Sequence, residues 1–76
     1  MKPKIELAKD IFSALQERLK SDEYTVELDV ECENITVKPI GDVFYRADFE
    51  KLLAVVIFYD VGWYIDFNAH QVHIYY

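Results

Sequence analysis

Four residue types in this 76-residue chain have side chains that suggest chemistry: one cysteine, two histidines, and aspartates and glutamates that together number fourteen. His70 and His73 stand three apart, and Asp66 and Cys32 are further possible ligands. Structural zinc takes four ligands, usually from paired Cys or His spacings. One Cys and two His do not fill that pattern. His70 reads more simply as a turn residue and His73 as an outward strand residue, so no metal is expected. Cys32 would need an electropositive setting to become a nucleophile, yet it lies between Glu31 and Glu33. Glu27, Asp29 and Asp66 could approach one another and perturb each other's titration, but a domain this small offers no obvious deep pocket for a substrate. The only glycines, Gly41 and Gly62, are isolated, so there is no glycine-rich phosphate loop. No active site and no cofactor follow from these residues, and the protein is not expected to be an enzyme.

The elements that would carry these residues are legible from periodicity. Over 4–20, Ile5, Ala8, Ile11 with Phe12, Leu15 and Leu19 recur at three- and four-residue spacing, which predicts an amphipathic helix. Pro3 suits its first turn, and Arg18 and Lys20 sit where the helix dipole favours cations. The period then changes to two. Tyr24, Val26, Leu28 and Val30 alternate with Thr25, Glu27, Asp29 and Glu31, predicting a half-buried strand over 24–31. Cys32-Glu33-Asn34 supplies a turn and 35–39 the returning strand, ended by Pro39.

Gly41-Asp42 predicts a second turn, and Val43-Phe44-Tyr45 suits either a short strand or a lead-in. Phe49, Leu52, Leu53, Val56 and Ile57 then recur with helical spacing. Leu53 to Tyr59 also suits a buried strand, being rich in Val, Ile, Phe and Tyr. The charged residues Asp48, Glu50 and Lys51 near the start, with Gly62 past the end, favour a helix over roughly 47–60 capped by Gly62. Strands over 63–68 and 72–76 flank a turn at Asn68-Ala69-His70-Gln71. The resulting fold class is α+β, one domain over 1–76. Its order is αββαββ, with four antiparallel strands and both helices on one face.

The two halves, 4–40 and 43–76, suggest an internal repeat. Asp10, Leu15 and Leu19 match Asp48, Leu53 and Ile57 at an offset of 38, the first strands match at 39, and Ile35 and Val37 match Val72 and Ile74 at 37.

Composition agrees with a folded domain: 53% of residues are hydrophobic and 16% aromatic. The longest apolar run, Leu52 to Tyr59, is eight residues long, against the roughly 20 that a membrane-spanning helix needs. With a single cysteine and no apolar leader after Met1, the expected location is the cytoplasm. Net charge is −6, and residues 22–42 alone carry seven acidic groups against Lys38. Such a field disfavours direct nucleic-acid binding and attracts basic partners.

If the helices cover Tyr24, Val26, Leu28, Trp63, Ile65 and Phe67, alternation assigns the opposite residues to an uncovered face. Glu27, Asp29, Glu31, Tyr64, Asp66, His73 and Tyr75 stand out there as partner-binding candidates, because tyrosine is enriched at interfaces. The expected function is therefore a small acidic binding or inhibitory module. It would act on a basic protein surface, in the manner of inhibitors that mimic the charge of DNA. The alternative is a homo-oligomeric assembly module, pairing as a homodimer through an open edge on the C-terminal strand.

Overall fold

Pro3 has no N–H to lose and a φ already suited to a helix. Its carbonyl accepts the N–H groups of Glu6 and Leu7, each at 3.1 Å, and α1 runs from there as Lys4–Arg18. Ala8, Ile11 and Leu15 form its buried stripe, continued by Leu19 just past its end. The structure is a computed structural model and describes residues 3–41 and 43–76. Met1, Lys2 and Asp42, and with Asp42 half of the turn expected at Gly41-Asp42, lie outside the described residues.

The remaining elements are β1 (Tyr24–Asp29), β2 (Asn34–Pro39), α2 (Arg46–Tyr59), β3 (Gly62–Asp66) and β4 (Gln71–Tyr75). The four strands make one antiparallel sheet in the order β1-β2-β4-β3. Both helices pack on the same side of it. Ile11, Leu15, Leu52, Val55 and Val56 share one core with Ile35, Val37, Val72 and Ile74 of the central strands.

Residues 53–59 are helical. The helix ends one residue earlier than the Gly62 cap required, because Asp60 takes the left-handed conformation itself (φ 53°, ψ 53°). Aspartate tolerates that region through its short polar side chain. The N–H groups of Asp60 and Val61 then bond back to the carbonyls of Ile57 and Val56, both at 3.2 Å, which closes the last turn. Gly62 is thereby released to begin β3. The buried stripe of α2 is also rotated from the expected one. Asp48, Leu52, Val55 and Val56 face inward, while Ile57 is 76% exposed.

The start of α2 is held by a buried polar contact. The Tyr24 hydroxyl on β1 donates to Asp48 Oδ2 at 2.7 Å and accepts the N–H of Tyr45, the residue preceding α2, at 3.1 Å. Phe44 packs beside the Tyr24 ring at a centroid distance of 4.8 Å. One of the orphan N–H groups at the helix start is satisfied in this way. A carboxylate in the first turn is favoured by the helix dipole, and Lys51 Nζ lies 3.8 Å from its other oxygen. Burial, then the bond to Asp48, pushes the Tyr24 phenol up to about 12.

Two expectations about the core are corrected. Trp63 lies opposite Ile74 on the helix side, but on edge strand β3, where it packs on Phe49 at 5.7 Å and is 37% exposed. Phe67 lies beyond the end of β3, in the turn, and is 79% exposed. An edge strand has a neighbour on one side only, so its side chains are half covered. The homodimer edge expected at the C-terminal strand is corrected as well. β4 pairs with β2 on one side and β3 on the other, so it is a central strand. The outer strands of the sheet are β1 and β3.

Several buried and turn positions recur at a spacing of 37 along the chain. Leu15 and Leu52 are both fully buried, and Leu19 and Val56 equally so at 3% exposure. Glu33 and His70 each close their hairpin turn at positive φ, 53° and 54°. In the β2–β4 register Ile35 is opposite Ile74, Val37 opposite Val72, and Thr36 opposite His73 between them.

Candidate functional site

The helix-free side of the sheet is built by strand alternation, and the register arranges it in rows. One row crosses all four strands as Glu27, Thr36, His73 and Tyr64. The next runs Asp29, Asn34, Tyr75 and Gly62. With neighbouring strands about 4.8 Å apart, each row spans roughly 14 Å.

An aromatic cluster occupies the β4–β3 half. The Tyr64 ring stacks on His73 at 4.8 Å with 25° between planes, and Tyr75 lies 6.1 Å from Tyr64. On the other side of His73, Nδ1 is 3.2 Å from Thr36 Oγ1. Tyr64 and Tyr75 are each 49% exposed, and His73 is half-buried between them and Thr36. Gly62 has a specific place in this cluster, because a Cβ there would run into the Tyr75 ring. The glycine leaves the space into which that ring lies.

The carboxylates flank the cluster. Glu27 is exposed on β1. Asp29 ends β1, and its Oδ1 accepts the N–H of Cys32 at 3.1 Å. Asp66 ends β3 and does the same work in the other hairpin, accepting the N–H groups of Asn68 and Ala69 at 3.1 Å. These bonds are the local turns that aspartate makes with its own backbone, and they hold both carboxylates at the rim. Glu31 lies in the β1–β2 turn rather than on the strand, so it extends the acidic rim beyond the sheet. Of the seven residues singled out, the structure thus brings Tyr64, His73 and Tyr75 together, sets Glu27 and Asp29 on one outer strand and Asp66 on the other, and leaves Glu31 in a loop.

The remaining reactive groups are set apart from this cluster. Cys32 is exposed in the β1–β2 turn, and the Asp29 carboxylate, through a hydrogen bond with the thiol itself and through its charge, pushes that thiol up. That favours the thiol over the nucleophilic thiolate. His70 lies in the opposite hairpin turn. No group of three or more His, Cys, Asp or Glu among the described residues could hold a metal ion. No helix among them is long and apolar enough to cross a membrane.

Two contacts escaped the sequence. Thr36 and His73 are 37 apart, and only the β2–β4 pairing makes them neighbours. The Tyr24–Asp48 pair had a faint signal, since Asp48 falls in phase with Leu52 and Val55 on the apolar stripe of α2. No known protein family, curated protein or solved structure matches the chain.

Proposed function

We propose that this protein is a binding module whose helix-free sheet face docks on a basic surface of another protein, acting by occupying that surface rather than by catalysis. The observation that carries this reading is the half-exposed cluster of Tyr64, His73 and Tyr75 with carboxylates on both sides of it. Tyrosine rings offer large contact area at low rotamer cost and a hydroxyl to bond, which is why they dominate protein interfaces. Glu27 and Asp29 on one outer strand, Glu31 beyond it and Asp66 on the other outer strand give the face its sign. Glu27 and Asp29 point the same way about 6.6–6.8 Å apart, so their fields add as those of a phosphate run do.

A partner surface that itself binds nucleic acid has the complementary charge, and covering it would inhibit that binding. In this reading the protein works in the reducing cytoplasm, where an exposed single thiol such as Cys32 persists.

The test is affinity capture from host extract on the immobilised parent protein, alongside a Tyr64→Ala/Tyr75→Ala variant and a Glu27→Lys/Asp29→Lys variant. A basic protein retained by the parent and lost from both variants supports the reading. Retention of the same proteins by all three would overturn it.

A further inference from the structure

We infer that the helix layer is a self-association surface, on which a second copy of this chain docks with Phe58 of each protomer entering the cleft between α1 and α2 of the other. Three observations converge on this occupant.

The first is the composition of α2. Leu52, Val55 and Val56 are already buried in the core, yet Ile57 is 76% and Phe58 80% exposed, with Ala54 exposed one turn before. A helix that is apolar on both sides is built for two partners, and the sheet is only one of them. Two adjacent large apolar side chains left this open form the kind of patch that marks an interface.

The second is shape. A cleft of about 310 Å³ opens beside Phe58, with Ala14 and Arg18 of α1 on one wall and Ala54, Val55 and Tyr59 of α2 on the other. The alanines leave the cleft wide, and the Phe58 ring stands at its edge, 4.9 Å from the ring of Tyr59. A projecting ring and an apolar cleft side by side on one surface fit each other across a two-fold axis. There, the first protomer's ring meets the second's cleft and the reverse.

The third is charge. α1 carries three basic and three acidic side chains, and α2 two of each, so both helices are neutral. The whole net charge of −6 therefore belongs to the strands and connections. Two copies meeting by their sheets would oppose like charge, whereas meeting by their helices keeps the acidic faces apart. A dimer of that form presents two sheet faces outward on opposite sides.

Helices of 15 and 14 residues offer a layer only about 22 Å long, so the interface is at the small end of the stable range. An affinity on the order of micromolar is expected.

The experiment is sedimentation equilibrium on the full chain from about 5 to about 500 μM. The parent mass should rise from 9.0 kDa towards twice that value. Phe58→Glu and, separately, Ala54→Glu should each weaken association by about 30-fold or more, the size expected for a central anchor. Both sites are exposed, so circular dichroism should show an unchanged fold. Glu27→Lys with Asp29→Lys should leave the dimer constant within about two-fold, because those charges lie on the far side of the sheet. The inference fails if the parent stays at 9.0 kDa throughout. It also fails if association persists in the Phe58 and Ala54 variants or responds instead to the sheet-face double variant.

Discussion

Thr36 and His73 face each other across the two central strands, with Thr36 Oγ1 3.2 Å from His73 Nδ1. The pairing register on either side of them sets Ile35 opposite Ile74 and Val37 opposite Val72. The two flanks of this pair differ in chemistry. The β1 side continues to Glu27, whereas the β3 side continues to Tyr64, whose ring stacks on the imidazole. The central strand pair thus has charge on one flank and aromatic surface on the other.

The position of the Tyr75 ring over Gly62 gives a mild way to disturb this surface. Gly62→Ala puts a Cβ where that ring lies, and the ring, half-exposed, can rotate away. Stability should change by less than about 1 kcal/mol, the usual range for an alanine–glycine exchange. The Tyr64–Tyr75 contact should be lost, and aromatic side-chain NMR shifts would show it. Unchanged ring shifts for Tyr64 and Tyr75 would contradict the placement.

Trp63 and Leu52 should differ sharply in how much they hold the fold together. Leu52 is fully buried, so Leu52→Ala should cost about 2–5 kcal/mol. Trp63, at the rim with over a third of its surface in water, loses mainly its packing on Phe49. Trp63→Ala should cost only about 1–2 kcal/mol. Urea melts of the two variants would decide it, and equal losses would show that Trp63 is a core residue.

Tyr24 should make stability fall at alkaline pH. Its phenol is raised to about 12 in the fold, above the ordinary value of about 10. A group raised on folding contributes fully below its unfolded pKa and loses that contribution as pH climbs to the folded one. Stability should therefore decline between about pH 10 and 12, and Tyr76, also raised chiefly by burial, acts in the same direction. Tyr24→Phe leaves the Asp48 carboxylate without its phenolic donor and should cost about 1.5–3 kcal/mol at neutral pH. It should also flatten the alkaline decline. A parent whose urea midpoint is level across that window would refute the assignment.

How much of this was legible in the sequence depends on the range of the interaction. Period changes at Tyr24 and near Ala47 mark local geometry, so both helices and all four strands are readable within a few residues. Gly62 does not cap α2, because Asp60, two residues earlier, reaches the left-handed region and ends the helix first. Trp63 and Phe67 are more exposed than alternation implies, because alternation reports which side a residue faces, not whether its strand lies at the edge of the sheet. The order β1-β2-β4-β3 decides that, and it is a long-range property. The same order removes the C-terminal strand as an open edge. Among the site residues, alternation found Glu27, Tyr64, His73 and Tyr75 on the helix-free side. It could not show that Asp29 and Asp66 also tie their own turns.

The central claim is that the acidic, aromatic sheet face recognises a basic protein, and salt and charge test it together. The measurement is the affinity and association rate of a protein captured from host extract, for the parent and for Glu27→Lys/Asp29→Lys, from about 0.05 to 0.5 M salt. Across that range the Debye length falls from about 14 to about 4 Å. The parent's affinity should weaken as salt rises past about 0.15 M. The double variant should slow association more than it speeds dissociation, because rim charges act mainly by steering. An affinity indifferent to both salt and charge reversal would contradict the account.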